Sequence, residues 1–133
     1  MIDPKKYLDF VDAVTSQQSK DNEAFVYRAQ ELQGAGFPPE RLLTAAVGLC
    51  AESGEFTEIV KKIVFQGKEP SEENLYHMKR ELGDIMWYVA QACIGLDIGF
   101  HEILQMNVEK LSSRYPDGTF DVYYSENRKE GDL

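Results

Sequence analysis

The chain has 133 residues, of which 43% are hydrophobic and 28% charged, and its formal net charge is −9 at pH 7. This length and composition are typical of one globular domain with its own core and exclude a disordered or fibrous chain. The negative charge disfavours nucleic-acid binding, and no apolar run reaches the length of a membrane span or a signal peptide, so we expect a cytoplasmic protein without a nucleic-acid or membrane partner.

The N-terminal third predicts two short helices. Asp3 and Pro4 have the order of an N-cap followed by a first-turn proline, and the apolar spacing continues to about Val14. Residues 15–22 are polar and predict a loop. A second helix is expected from about residue 23 to 33, with its end at Gly34 and a connector rich in glycine and proline after it.

Two long helices follow. One is expected from Pro39 to about Phe65, and the next, capped by Ser71, to about residue 96. Asp97 has the character of an N-cap for a fifth helix that reaches about Arg114. The expected fold class is therefore all-α, a bundle of about five helices with two long central antiparallel ones. Residues 1–118 form the predicted domain, and residues 119–133 a polar tail.

The sequence predicts the surroundings of two cysteines, two glycines and one tryptophan in the long helices. Cys50 and Cys93 lie within apolar helical pattern, which favours reduced core thiols over a disulfide. Gly48 and Gly54 weaken a helix interior, which indicates either close approach of a backbone or a ligand, or a simple packing requirement. Trp87 is expected in the core or in a subunit contact.

The functional prediction rests on an acidic motif in each long helix. Glu52 and Glu55 are three residues apart on one helix, and Glu81 and Asp84 are three apart on the next, so each pair shares a helix face. Both pairs are embedded in apolar sequence, where unpaired carboxylates are costly. A hard divalent cation offsets such charge, and oxygen ligands favour Mg²⁺, with Mn²⁺ as the alternative.

Two other interpretations of these pairs stay open at this point. The carboxylates could lie on solvated faces of a chain that has 23 acidic residues. A di-iron carboxylate bundle is the second, but it normally uses Glu-x-x-His pairs, which neither motif has. The chain offers no glycine-rich phosphate loop and no nucleophile triad.

The spacing of these motifs resembles a known family. Ala-Glu52-Ser-Gly-Glu55, 25 intervening residues and Glu81-Leu-Gly-Asp84-Ile are similar to the acidic motifs of the MazG-like all-α nucleoside triphosphate pyrophosphohydrolases, which include dCTP and dUTP pyrophosphatases. The segment from Asn107 to Pro116 resembles a third element of that family. The resemblance covers about residues 40–118, and compact members also occur in phage genomes.

The resemblance implies a chemistry. The four acidic residues would bind Mg²⁺, and the enzyme would cleave a nucleoside triphosphate to the monophosphate and pyrophosphate. Glu52 or Glu55 would orient or deprotonate the attacking water. The competing hypotheses are hydrolysis of (p)ppGpp or of a modified nucleotide, and a non-catalytic nucleotide-binding or regulatory module. The sequence does not indicate which base or sugar is preferred.

A smaller set of residues is predicted to bind the substrate. Asn107, Lys110 and Arg114 form one helical stripe that suits phosphate, although the two cations could equally complement the helix dipole. Tyr88 follows Asp84 by one turn and faces either substrate or core. Lys62 shares the face of Glu55, with an ion pair to Glu58 as its alternative.

The fourth helix also predicts an assembly. Its residues 82–94 are apolar almost all round, and a helix of that kind must be covered on every side. One short chain supplies too little cover. We therefore expect a homodimer or homotetramer, and the family resemblance implies active sites shared between subunits.

Overall fold

The computed structural model describes residues 2–132, which form six α-helices and no strand. The helices are α1 (Pro4–Val14), α2 (Asn22–Gly34), α3 (Pro39–Phe65), α4 (Glu72–Leu96), α5 (Phe100–Arg114) and α6 (Val122–Glu126), with a 3₁₀ turn at Gln17–Ser19 between α1 and α2. The all-α prediction is confirmed. No helix within residues 2–132 combines the length and apolarity needed to cross a membrane.

The helix starts follow the capping chemistry of the sequence. The Asp3 carboxylate accepts a hydrogen bond from the backbone N–H of Lys5 at 3.0 Å, with Pro4 in the first turn. Ser71 Oγ accepts from the N–H of Asn74 at 3.3 Å at the start of α4. These contacts satisfy backbone donors that have no partner within the helix, and they place both starts where the sequence predicts them.

Asp97 has a different role from the predicted one. It ends α4 in the left-handed conformation, with φ 51°, instead of capping α5. Gly99 precedes α5, and its N–H donates to the Glu102 carboxylate at 2.8 Å. Aspartate tolerates both an N-cap and a left-handed C-cap. The pattern of residue types therefore could not tell the end of one helix from the start of the next.

The two long helices form the packed centre of the chain. They run antiparallel, since Arg41 near the start of α3 donates to the Gln91 side-chain oxygen near the end of α4 at 2.6 Å. Leu42 likewise packs against Gly95, so closely that a Cβ atom there would lie 2.9 Å from a Leu42 methyl group. This register brings the middle of α3 opposite the middle of α4.

Little of the described chain is fully buried. Ala45 and Cys93 are the buried hydrophobic residues among residues 2–132, at 2% and 7% exposure. Many large apolar side chains are exposed, including Leu82, Trp87 and Ile94 on α4. Both cysteines are free, but only Cys93 is a core thiol; Cys50 is exposed, and that part of the prediction is wrong.

The tail beyond α5 folds back onto that helix. Arg114 donates from Nε and Nη2 to the two oxygens of Asp132, at 2.7 and 2.6 Å. Lys129 Nζ donates to the Ser113 carbonyl at 3.1 Å. The short α6 was not predicted. Its five residues are too few for a helical period to be recognised, and its start depends on the Asp121 cap.

Candidate metal centre

Three carboxylates from the two central helices converge. Glu52 and Glu55 of α3 and Glu81 of α4 each offer one oxygen, and these oxygens lie within 4.8 Å of one another. We call these three residues the acidic cluster. The i, i+3 spacing aligns the α3 pair on one face, and the antiparallel register brings α4 to that face. The fold therefore brings the α3 pair together with a residue of α4 that is 26 or more positions away in the sequence.

Asp84 lies at the edge of this cluster. It is exposed and does not belong to the set of oxygens within 4.8 Å. Its charge nevertheless contributes to raising the pKa of Glu52, which places its carboxylate near the others. Of the four predicted carboxylates, Asp84 is therefore the one that lies outside the converging set.

The electrostatics of Glu52 show that the cluster lacks compensating charge. The pKa of Glu52 is raised by partial burial first, and then by the negative charges of Glu55, Asp84 and Glu81. Among residues 2–132 no lysine or arginine forms an ion pair with any of these four carboxylates. A set of hard oxygen donors without a cationic side chain fits Mg²⁺ or Mn²⁺.

Lys62 is directed to a different carboxylate. Its Nζ lies 2.9 Å from Glu58 Oε1, and Lys61 Nζ lies 2.9 Å from the other oxygen of the same residue. The two ammonium groups lower the pKa of Glu58 to about 2. Lys62 therefore forms the ion pair with Glu58 that was the alternative to a substrate-binding role.

Tyr88 packs across α3 one turn from the cluster. A Cβ atom built on Gly48 would overlap the Tyr88 ring, so the ring lies directly on the Gly48 backbone. Trp87 contacts Tyr88 edge-on at 4.8 Å between ring centroids and is itself half exposed. At Gly48 the packing of a side chain, which was the alternative to approach of a backbone or ligand, accounts for the glycine. Gly54 has open space around it within the described residues.

The predicted phosphate-binding stripe on α5 does not join the acidic cluster within one chain. Asn107 and Lys110 are exposed, and α5 makes at most marginal contact with α3 and α4 in the part of the chain that the structure describes. Arg114 is largely covered by its pairing with Asp132, at 13% side-chain exposure. That pairing raises the pKa of Arg114, and Arg114 in turn lowers the pKa of Asp132.

Sequence reasoning missed Asp132. It is 18 residues from Arg114 in a polar tail, and nothing in its local pattern marks it as a partner. The two histidines lie outside the acidic cluster: His77 and His101 are both exposed.

Comparison with known proteins places this geometry in a family. Residues 40–119 match the model of the MazG nucleotide pyrophosphohydrolase domain, a segment that contains the acidic cluster, Asp84 and the α5 stripe. The Gene 37 protein of Mycobacterium phage L5 is 42% identical over 77 residues, which covers 56% of this chain and 67% of the phage protein. No solved structure shows significant similarity to the chain. The match spans more than half of the chain and includes both acidic motifs, and the protein therefore belongs to the MazG nucleotide pyrophosphohydrolase domain family.

Proposed function

We propose that this protein hydrolyses a nucleoside triphosphate to the monophosphate and pyrophosphate with the help of Mg²⁺. The observation that carries the proposal is the acidic cluster, whose three oxygens converge without a cationic side chain inside a MazG domain. A divalent cation bound between these carboxylates and the phosphates of a substrate would offset the negative charge of both groups.

Each acidic residue has a proposed role. Glu52, Glu55, Glu81 and Asp84 hold the metal, which would offset negative charge on the phosphate oxygens. Glu52 or Glu55 also orients the attacking water and accepts its proton. The partial burial of Glu52 supports this role, since a desolvated carboxylate is a stronger base than an exposed one.

The phosphate-binding residues come, in this proposal, from a second copy of the chain. Asn107 and Lys110 are exposed on α5, which is barely in contact with the acidic helices of its own chain. The exposed apolar side chains of α4 offer a surface through which a homodimer or homotetramer would form. Such an assembly brings α5 of one copy towards the acidic cluster of another. Tyr88 lies beside the cluster and would contact the nucleotide.

The product distinguishes this reaction from ordinary phosphatase chemistry. With Mg²⁺ and a panel of ribo- and deoxynucleoside triphosphates, including modified nucleotides and (p)ppGpp, we expect release of pyrophosphate together with a nucleoside monophosphate. Ion-exchange chromatography of the nucleotide products, with a coupled assay for pyrophosphate, measures both. Release of orthophosphate with a nucleoside diphosphate would contradict the proposal.

Metal dependence is tested with the carboxylates themselves. Glu55→Ala and Asp84→Ala should abolish turnover while leaving a folded helical protein, since each removes one of several mutually repelling charges. The matched control is Glu58→Ala, whose carboxylate pairs with lysines outside the cluster; it should keep most of the activity. Equal turnover in EDTA and in Mg²⁺, or unfolding of both cluster variants by circular dichroism, would overturn this account.

A further inference from the structure

An apolar groove lies between α2 and the start of α3, outside the acidic cluster. Its volume is about 410 Å³. Its lining is almost wholly apolar and includes Phe25, Ala29, Leu32, Phe37, Leu42 and Leu43. We call it the α2–α3 groove. Several of its side chains are half exposed, among them Phe25 at 46% and Leu43 at 49%. A groove of this composition is typical of a surface that receives an amphipathic helix.

Helix α1 presents an apolar face of matching character. Tyr7, Phe10, Val11 and Val14 follow the i, i+3, i+4, i+7 spacing and so share one side of the helix. We call these four residues the α1 face. All four are exposed in the single chain, Phe10 at 61% and Val14 at 65%. An isolated helix of 11 residues is marginal in water, so α1 requires a partner surface to be stable.

Helix α1 does not cover the groove of its own chain within the described residues. Lys20 Nζ donates to the Asp12 carbonyl at 2.7 Å and lies 3.5 Å from the Asp12 carboxylate. This contact ties the end of α1 to the 3₁₀ turn, which itself packs on α2. Within residues 2–132, α1 makes at most marginal contact with α2 and α3. The α1 face and the α2–α3 groove therefore exist on one chain without meeting.

The accessible surface indicates that copies of the chain cover each other. The chain exposes 10595 Å² for a mass of 15.2 kDa. A folded monomer of this mass exposes about 7,100 Å², so the excess is about 3,500 Å². An interface at the lower bound of the obligate class, about 2,000 Å² in total, buries about 1,000 Å² per partner. One contact through α4 of that size leaves most of the excess uncovered, and a second contact is needed.

We propose that α1 of one copy binds in the α2–α3 groove of a second copy, and that the exchange is reciprocal. When two copies are related by a two-fold axis, the α1 face of each copy can cover the α2–α3 groove of the other. Both elements lie essentially before residue 46, and α1 and α2 precede the matched family segment at residues 40–119. The contact is therefore separate from the acidic cluster, and it stands or falls independently of the proposed reaction.

Site-directed crosslinking between two different chains tests the exchange. Cys50→Ser and Cys93→Ala give a cysteine-free background. One chain then carries Val11→Cys and the other Leu43→Cys, and the two are co-expressed and treated with a short bismaleimide. We expect a crosslinked species of twice 15.2 kDa that joins residue 11 to residue 43, identified by mass spectrometry of the linked peptides.

The matched control moves the cysteine to the opposite side of α1. Asp9→Cys lies away from the α1 face and should give at least tenfold less crosslinked product with Leu43→Cys. Equal crosslinking from Asp9→Cys, or none from Val11→Cys, would reject the proposal. So would a chain carrying both Val11→Cys and Leu43→Cys that links only within itself, because α1 would then fill its own groove.

A second design of the experiment is available if the cysteine-free protein fails to fold. Cys93 is buried and can be retained, with a chain lacking any introduced cysteine as the measure of its contribution. In that setting Phe10→Glu adds a charge to the α1 face, and burying an unpaired charge is costly. It should lower the yield of the residue 11 to residue 43 crosslink at least tenfold while circular dichroism shows the helices intact. An unchanged yield would overturn the proposal.

Discussion

Glu52 is the residue at which burial and charge act together. Burial and three neighbouring carboxylates raise its pKa, so the folded protein holds its proton more tightly than the unfolded chain. A raised pKa gives stability that is present below the unfolded value of about 4.3 and is lost as pH rises through the folded value. At neutral pH the ionised Glu52 therefore destabilises the metal-free protein.

Glu52→Gln should consequently raise the melting temperature of the metal-free protein at pH 7 and change it less at pH 4. The same variant should lower turnover at least about 100-fold, if the carboxylate serves the attacking water. Thermal unfolding in EDTA at the two pH values measures the first effect. Glu58→Gln is the control with the opposite sign, since its carboxylate has a pKa of about 2 and is stabilising when ionised. A melting temperature that falls in Glu52→Gln would contradict the electrostatic argument.

Gly48 is the second residue whose surroundings predict the effect of a substitution on stability. Replacing a glycine within a helix by alanine ordinarily stabilises a protein by roughly 0.5–1 kcal/mol. At Gly48 the new methyl group would overlap the Tyr88 ring, and overpacking costs about 1–3 kcal/mol. We therefore expect Gly48→Ala to lower the free energy of unfolding, as measured by urea denaturation.

Gly54 provides the comparison within the same helix. It has open space around it in the single chain, so Gly54→Ala should raise the free energy of unfolding by roughly 0.5–1 kcal/mol. A stabilising Gly48→Ala would show that Tyr88 moves aside without cost. A destabilising Gly54→Ala would indicate that another copy of the chain covers that side of α3.

At the scale of elements, the C-terminal tail is fastened to α5 by one ion pair. Arg114 lowers the pKa of Asp132, and a lowered pKa gives stability that is present above the unfolded value of about 3.9 and lost as pH falls through the folded value. Asp132→Asn removes the charge but keeps the shape. We expect this variant to release α6 and the residues that follow it.

Amide relaxation measured by NMR would report this release as increased motion in residues 122–132. The wild-type tail should loosen in the same way only well below the ordinary pKa of an aspartate, because Arg114 lowers the pKa of Asp132. Glu130→Gln is the control, because its carboxylate forms no ion pair among the described residues. A tail that stays rigid in Asp132→Asn would mean that α6 docks through its aromatic residues. If activity also rises, the tail competes with substrate phosphate for Arg114.

At the scale of the whole molecule, the exposed apolar surface predicts assembly. We expect light scattering at micromolar concentration to give about two or four times the chain mass of 15.2 kDa. The interface should be in the obligate class of about 2,000 Å² or more. Trp87→Glu, on the half-exposed part of α4, should weaken the contact through α4 and lower the mass, but not below that of two copies joined by the α1 exchange. A wild-type mass equal to one chain would contradict both the proposal of a site shared between copies and the proposed α1 exchange.

The sequence by itself determined the five longer helices and the acidic motifs. Caps at Asp3 and Ser71 and the apolar period fix where α1 and α4 begin, because these signals act within a few residues. The i, i+3 spacing likewise places Glu52 beside Glu55 whatever surrounds them. The ambiguity at Asp97 shows the limit of local signals, since one residue type suits both ends of a helix.

Only the tertiary structure decided which of these residues meet. The register of α3 against α4 brings Glu81 to Glu52 and seats Tyr88 on Gly48, whereas Arg114 is drawn to Asp132 and Lys62 to Glu58. Such pairings depend on packing between distant segments and on competition among charged partners. A sequence pattern records the period of one helix, but not the neighbour that the opposite helix, the tail or a second copy of the chain supplies.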